Sequence, residues 1–423
     1  MRTGKWIWIC LTVLTLGQVC GAAEDGSSID DRLAELEREI AEIKQASAPT
    51  SGQTASSDSK KKGLFSSVDV KLYGYLKTDV SRDSSRTNNG NYVLWVDSEA
   101  TRRNDAESNL TAGESRLGLD FSGPSSETLK TSAKLEFDFF GAPADENKAK
   151  IQMRHAYMKL DWPEAQLSFL AGQTWDVISP LNPSTLNYSV LWVGGNIGYR
   201  RPQVRLTKEL SVTDQVKLKL DGALTRTIGN EDLTGSETGE DAGVPTVQGR
   251  LGATFPFFGP KPTTIGVSGH TGKEEYDLDA TGQNTDIKSQ SINLDITQPI
   301  CKWITLKAEL FSGKNLKSYL GGISQGINTA TRRPIDSEGG WIAASLGPWG
   351  KWSSAVGFGV DNVDRDDVAA GGRTRNSCLF GNVRYDVNAH AQVGLELSRW
   401  ETDYRGAGDA DDMRVQASFI YKF

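Results

Sequence analysis

From Val68 to Phe423 the chain alternates apolar and polar residues with a period of two, and it does so in sixteen separate segments. The first is typical. Val68, Val70, Leu72, Gly74, Leu76 and Val80 share one face, and Asp69, Lys71, Tyr73, Tyr75, Lys77 and Asp79 share the other. A period of two is the mark of a strand with one apolar face. The segments run over about 68–80, 113–122, 129–140, 152–161, 165–174, 197–209, 213–226, 246–256, 262–271, 286–298, 302–314, 337–347, 351–361, 374–386, 389–402 and 411–423. One such strand fits a soluble sheet, but sixteen joined as these are do not. Short connections (Gly123-Pro124-Ser125-Ser126, Trp162-Pro163-Glu164, Gly347-Pro348-Trp349-Gly350) alternate with long ones (81–112, 175–196, 227–245, 315–336, 362–373) without a break. An even number of strands with loop lengths sorted by end is the pattern of an outer-membrane barrel. Closure also leaves no backbone group unpaired in hydrocarbon. The fold expected is all-β, a 16-stranded antiparallel transmembrane β-barrel over 67–423.

Aromatic residues agree with this reading. Phe121, Trp162, Phe257, Phe258, Trp303, Trp349 and Trp352 fall beside short turns, where an interfacial girdle belongs, and Phe419, Tyr421 and Phe423 end the last strand on one face. Bulk composition conceals the barrel. A mean hydropathy of −0.43 and 24% charged residues look soluble, because half of each strand faces water inside and the loops face water outside. The net charge of −7 argues against nucleic acid as a partner, since phosphate binding needs a basic surface.

The first 66 residues have a different character. Residues 1–23 read as a secretory leader, with Arg2 and Lys5, an apolar run from Trp6 to Leu16, and Gly21-Ala22-Ala23 before Glu24. Removing them leaves two cysteines, Cys301 and Cys378, expected to stay unpaired near opposite ends of the barrel. In 27–46, Ile29, Leu33, Leu36, Ile40 and Ile43 recur at spacings of four and three, a heptad seam for a short N-terminal coiled-coil helix. Mixed Ile and Leu in that seam favour more than two strands. An amphipathic helix lying on another surface is the alternative. Residues 47–66, rich in Ser, Thr, Gly and Ala, form a flexible linker.

The stretches VKLYGYLKTDV (70–80), ESRLGLDFSGP (114–124), KLEFDFFG (134–141), RHAYMKLDWPEAQLSFLAGQTWD (154–176), RRPQVRL (200–206) and the ending SFIYKF resemble the DcaP-like porins of Gram-negative bacteria. The resemblance implies a homotrimeric channel of the cell outer membrane. It also implies a coiled coil and tether before the barrel, and passage of small organic anions such as dicarboxylates.

Strand parity aims Arg116, Lys134, Tyr157, Arg201, Gln203, Arg205, Lys217, Lys219, Arg384 and Arg414 into the lumen, with Glu114, Asp120, Glu136, Asp138, Asp221 and Glu396. The wall is then nearly neutral in total, and selectivity must come from clustering. Arg201, Gln203 and Arg205 form a ladder of donors on one strand, with Arg116 and Lys134 on two neighbouring strands. Guanidinium groups bind carboxylates bidentately, so such a ladder offers weak serial sites to an anion. Alternatively the cations pair with Glu114, Asp120 and Glu136 and stiffen the wall. The third long loop, from Trp175 and Asp176 to Asn196, is poor in charge and rich in apolar residues. It is expected to fold inward as a constriction, with Asp176 opposing the arginines across the bore; packing at a subunit interface is the other possibility. Arg154 has outward parity between Ala156, Met158 and Leu160, and is expected at the trimer interface, because a charge facing lipid costs about 2–4 kcal/mol.

The acidic runs at 361–367 and 409–412 lie in outer loops as solvated charge or as lipopolysaccharide-bridging cation sites. His155, His270 and His390 lack metal spacing. No cofactor and no nucleophile constellation is expected, and the protein is not read as an enzyme. The competing readings are a phosphate- or sugar-selective porin, an outer-membrane hydrolase, and a plugged barrel that anchors the envelope, with peptidoglycan as a partner of the coiled coil.

Overall fold

Seventeen strands hydrogen-bond into one antiparallel sheet whose first and last members pair with each other. The computed structural model describes residues 68–102, 105–141, 148–229, 239–278 and 282–423. The expected leader, coiled coil and linker lie outside them. The strands are β1 (Asp69–Asp83), β2 (Glu107–Thr111), β3 (Arg116–Ser122), β4 (Lys130–Gly141), β5 (Lys150–Trp162), β6 (Leu167–Trp175), β7 (Arg200–Ser211), β8 (Lys217–Thr225), β9 (Thr246–Phe255), β10 (Thr263–Asp277), β11 (Asn284–Cys301), β12 (Ile304–Lys314), β15 (Asp336–Trp349), β16 (Trp352–Val363), β17 (Arg373–Asp386), β18 (Ala391–Tyr404) and β19 (Ala410–Lys422). A two-residue pair, β13 (Ile327–Asn328) and β14 (Arg333–Pro334), sits within a loop. Both β2 and β3 pair with β1, so they are two halves of one stave and the barrel has sixteen staves. Closure runs through β1 and β19, with Val80 opposite Ala417.

Alternation sorts the side chains as a membrane requires. Leu72, Leu76, Leu206, Leu220, Leu251, Ile292 and Leu395 point outward and stay exposed, where lipid would cover them. Phe257, Trp349, Trp352, Phe419, Tyr421 and Phe423 are exposed near the short-turn end, so the girdle stands where the sequence places it. Loop sorting is less strict than expected. The connections 278–283 and 405–409 are short although they lie at the long-loop end; at the first, β10 and β11 run on as a ribbon past Thr271 and Gln290, where their pairing with β9 and β12 stops. Cys301 and Cys378 are not joined in a disulfide.

The apolar core sits inside the barrel, in its outer half. Val93 and Val96 from the first long loop and Leu191 from the third pack with wall residues Trp341, Phe380 and Trp400. Ile178 and Ile197 meet Phe311, Leu316 and Tyr319. Val193 packs with Ile323, Ile335 and Val363. Three outer loops therefore fold into the lumen and share its filling.

Candidate functional site: the lumen and its third loop

The loop 176–199 lies in the lumen, and it is laid against one wall. That wall is β15 to β18, whose inward positions include Gly339, Ala343, Ala355, Gly357, Gly359 and Gly394. Small residues leave a trough for a second layer of backbone. A Cβ on Gly359 would stand 2.2 Å from the carbonyl oxygen of Gly194, and one on Gly394 would stand 2.8 Å from Leu186 Cδ1. The loop's own Gly195, at φ +115°, approaches the carbonyl of Gly340 just as closely. Non-glycine residues also accept left-handed backbone here, with Val190, Leu191 and Val193 at φ 44°, 64° and 54°. Such strain persists only where surroundings over-determine the conformation.

The surroundings here are polar clamps from the wall. Glu309 Oε1 accepts from the backbone N–H of Leu181 at 2.8 Å. Glu396 accepts from the N–H groups of Leu186 (2.5 Å) and Asn187 (3.1 Å). Lys77 Nζ and Gln416 Nε2 donate to the Leu186 carbonyl at 2.7 and 3.1 Å. At the root of the loop, Gln248 donates to Asp176 Oδ1 (2.7 Å) and through its own oxygen accepts from Val177 N (2.8 Å). Every partner is an inward wall residue, so the loop belongs to the lumen and to no subunit boundary.

The opposite wall, β3 to β8, carries long side chains. All ten cationic and polar residues and all six acids assigned to the lumen by parity are found on inward positions, and the structure also shows how they pair. Arg201 is closed off. Its Nε lies 2.7 Å from Asp176 Oδ1 with both side chains 1% exposed, its guanidinium stacks on Tyr319 at 3.8 Å, and its Nη2 donates to the Ser318 carbonyl at 3.0 Å. Asp176 therefore does not oppose the arginines across the bore; it neutralises one of them at contact. The expected donor ladder turns in on itself as well. Gln203 Nε2 donates to the carbonyls of Thr174 and Trp175 at 3.1 and 3.0 Å, while Arg205 donates to Gln203 Oε1 at 2.7 and 2.9 Å and to the Trp175 carbonyl. Arg205 has no carboxylate within ion-pair distance among the described residues.

Lower on this wall Lys134 binds Asp120 at 2.6 Å and lies over Tyr73, while Arg116 stands 3.7 Å from Glu136. Their side chains keep 25% and 22% of their surface open to the lumen. Tyr157, opposite Lys134, is half-buried. Lys217 is exposed, and Lys219 is 48% exposed with Asp221 3.7 Å away. The cations of this wall thus differ in kind: Arg201 above is paired and buried, while Arg116, Lys134 and Lys219 below stay partly open to the lumen.

Arg154 is a correction. It does not face outward. The β4–β5 register slips between Glu136 opposite His155 and Phe137 opposite Met153, which leaves Arg154 as the extra residue of a β-bulge and reverses its side. Its side chain enters the lumen and binds Glu136 and Asp138, each at 2.7 Å, with Tyr188 Oη 3.2 Å away. It cannot reach a neighbouring subunit from there. Arg200, absent from the expected site, is buried against Trp175 (4.8 Å) and Tyr199 (4.4 Å), with no hydrogen-bond acceptor in reach.

Two further lumen loops were not singled out by the sequence. The signal was the one that marked the third loop. Residues Tyr92–Val96 (YVLWV) and 316–327 are unusually apolar for outer loops, and Val93, Val96, Leu316 and Ile323 are fully buried.

Several solved channel structures have a similar shape. The DcaP outer-membrane channel of Acinetobacter baumannii superposes with a TM-score of 0.68 at 18% identity, covering 88% of this chain and 100% of that one. An anion-selective porin from Comamonas acidovorans gives 0.55 at 13% identity, covering 84% and 100%. The trimer form of OmpT from Vibrio cholerae gives 0.52 at 12%, again covering 84% and 100%. At such identities these likenesses establish the fold. None of the curated proteins matches the sequence. The family model for the DcaP outer membrane protein matches residues 13–237, more than half of the chain. With its closed sixteen-stave barrel and inward-folded loops, the chain belongs to the DcaP outer membrane protein family.

Proposed function

We propose that this outer-membrane channel passes small organic anions, dicarboxylates among them, by diffusion along the β3–β8 wall. The observation that carries the reading is the division of the lumen. The third loop is laid on the small-residue wall, and the open face across from it bears Arg116, Lys134, Tyr157, Arg205, Lys217 and Lys219. Several partly open cations in series bind an anion weakly enough to release it. Arg201 is removed from the expected pathway by Asp176, and Trp175 and Asp176 act as the anchored root of the constriction loop.

The same reading makes residues 1–23 the export signal and 27–46 a periplasmic coiled coil on the three-fold axis of a homotrimer, tethered by 47–66. The trimer form of a similar barrel supports this assembly. Lipopolysaccharide around the outer rim and peptidoglycan against the coiled coil are the proposed envelope partners.

Two measurements test the substrate class. Succinate added to one side of a planar bilayer should block the chloride current in a concentration-dependent way. Proteoliposomes should swell faster in succinate than in a neutral sugar of similar size. Absence of block together with faster sugar entry would contradict the anion reading and favour a sugar channel.

A further inference from the structure

The backbone N–H groups at the tip of the third loop are held by one carboxylate, while Lys77 and Gln416 take the Leu186 carbonyl. Glu396 on β18 is 2% exposed, and it makes no ion pair among the described residues. It accepts from Leu186 N, from Asn187 N and, at 2.9 Å, from Asn382 Nδ2. Asn382 in turn donates to the Ser184 carbonyl at 2.8 Å, the same oxygen that takes Arg384 Nη2 at 2.7 Å. The Leu186 side chain rests over Gly394, two residues before Glu396 on the same inward face. The tip is thus seated on a glycine, gripped by a carboxylate at its N–H groups, and placed against a guanidinium that it partly covers.

Arg384 matters because of that cover. It faces the lumen from β17, and among the described residues it has no carboxylate within ion-pair distance; its one hydrogen bond is to the loop's Ser184 carbonyl. While the tip stays seated, this cation is occupied by the loop. If the tip leaves, the bore widens and a free guanidinium enters it on the side opposite Arg205.

We propose that Glu396 is the positioning residue of the constriction: its grip on Leu186 and Asn187 sets the bore and keeps Arg384 masked. This deepens the channel reading and rests on it, but it concerns bore size and a hidden charge, not the sign of the wild-type selectivity. A hydrogen bond to a charged group is worth more than one between neutral groups, and loss of one such bond is equivalent to roughly a tenfold shift in the seated–released equilibrium. Two are lost here.

The test is a double-mutant cycle in planar bilayers on full-length protein, with heat-modifiable migration on gels as the folding control. E396A should conduct more per channel than wild type and move its reversal potential in a KCl gradient further toward that of chloride. R384A alone should shift selectivity less than the same change does in the E396A background, because the loop carbonyl occupies the partly covered guanidinium. E396A combined with R384A should keep the raised conductance and lose the added anion preference. Should E396A not fold, E396Q keeps the shape and one acceptor oxygen, and should show the same changes at smaller size. Wild-type conductance in E396A or E396Q would overturn the positioning role. A selectivity shift in R384A alone as large as that produced by R384A in the E396A background would overturn the masking. Cation preference in the wild type would instead strike the anion reading and leave the bore measurement standing.

Discussion

The barrel has two walls built by one rule and used in opposite ways. On β15–β18 the inward positions alternate small residues with buried acids and aromatics, and loop backbone fills the space. On β3–β8 the inward positions carry Arg, Lys and Tyr, and their own length fills it while leaving polar heads toward the bore. Alternation decides only which residues enter the lumen. Side-chain size at those positions then decides whether loop backbone can lie against them. Glycine, abundant at 44 residues, has a specific place in this scheme: Gly359 and Gly394 are where a loop touches a strand.

The largest effect should come from the buried ion pair that joins the loop root to the cationic wall. Asp176→Asn leaves Arg201 charged and fully buried, which should cost about 3–5 kcal/mol of stability. Denaturant unfolding of refolded protein measures it. Arg201→Met combined with Asp176→Leu should be less damaging than either single change, since no charge is left stranded. Additive losses would show that the pair is not the tie described. Arg154→Met sharpens the same comparison from β5, because it strands Asp138 and leaves Glu136 to the more distant Arg116; a loss of similar size is expected by the same assay.

A middle-sized effect belongs to the small-residue wall. Gly359→Ala puts a methyl against the Gly194 carbonyl and should cost about 1–3 kcal/mol by overpacking, with a changed single-channel conductance. The corresponding change on an outward glycine with open space, Gly222→Ala on β8, has nothing within 4 Å to strike and should leave conductance as it was. Equal effects at the two sites would show that the contact of Gly359 with the loop does not set the bore. The smallest effect is expected outside the lumen altogether. Lys273 and Asp286 pair at 2.8 Å on the projecting β10–β11 ribbon, half-exposed, and removing either should change stability by less than about 1 kcal/mol.

How much of this the sequence disclosed follows from range. The strands were legible because lipid imposes period two on every stave, and a one-residue slip would turn a whole apolar face inward. Lumen parity was legible for the same reason, at Arg116, Lys134, Arg205 and Glu396 alike. Arg154 was misread because a bulge adds one residue without a glycine or proline to announce it, and parity reverses there. The pairing of Arg201 with Asp176 and the grip of Glu396 on Leu186 were not legible. They join residues that alternation orients but that only the loop's path brings together. The inward folding of 316–327 was readable in principle, by the same scarcity of charge that marked 175–196.

The cationic wall facing the seated loop is the proposed path of the anions. The most direct measurement is the zero-current potential of wild type and of an R205Q/K217Q/K219Q variant in the same KCl gradient. Wild type should lie on the anion-selective side, and the variant should move markedly toward zero while keeping its conductance class. A wild-type preference for cations, or a variant whose potential equals that of wild type, would contradict the claim.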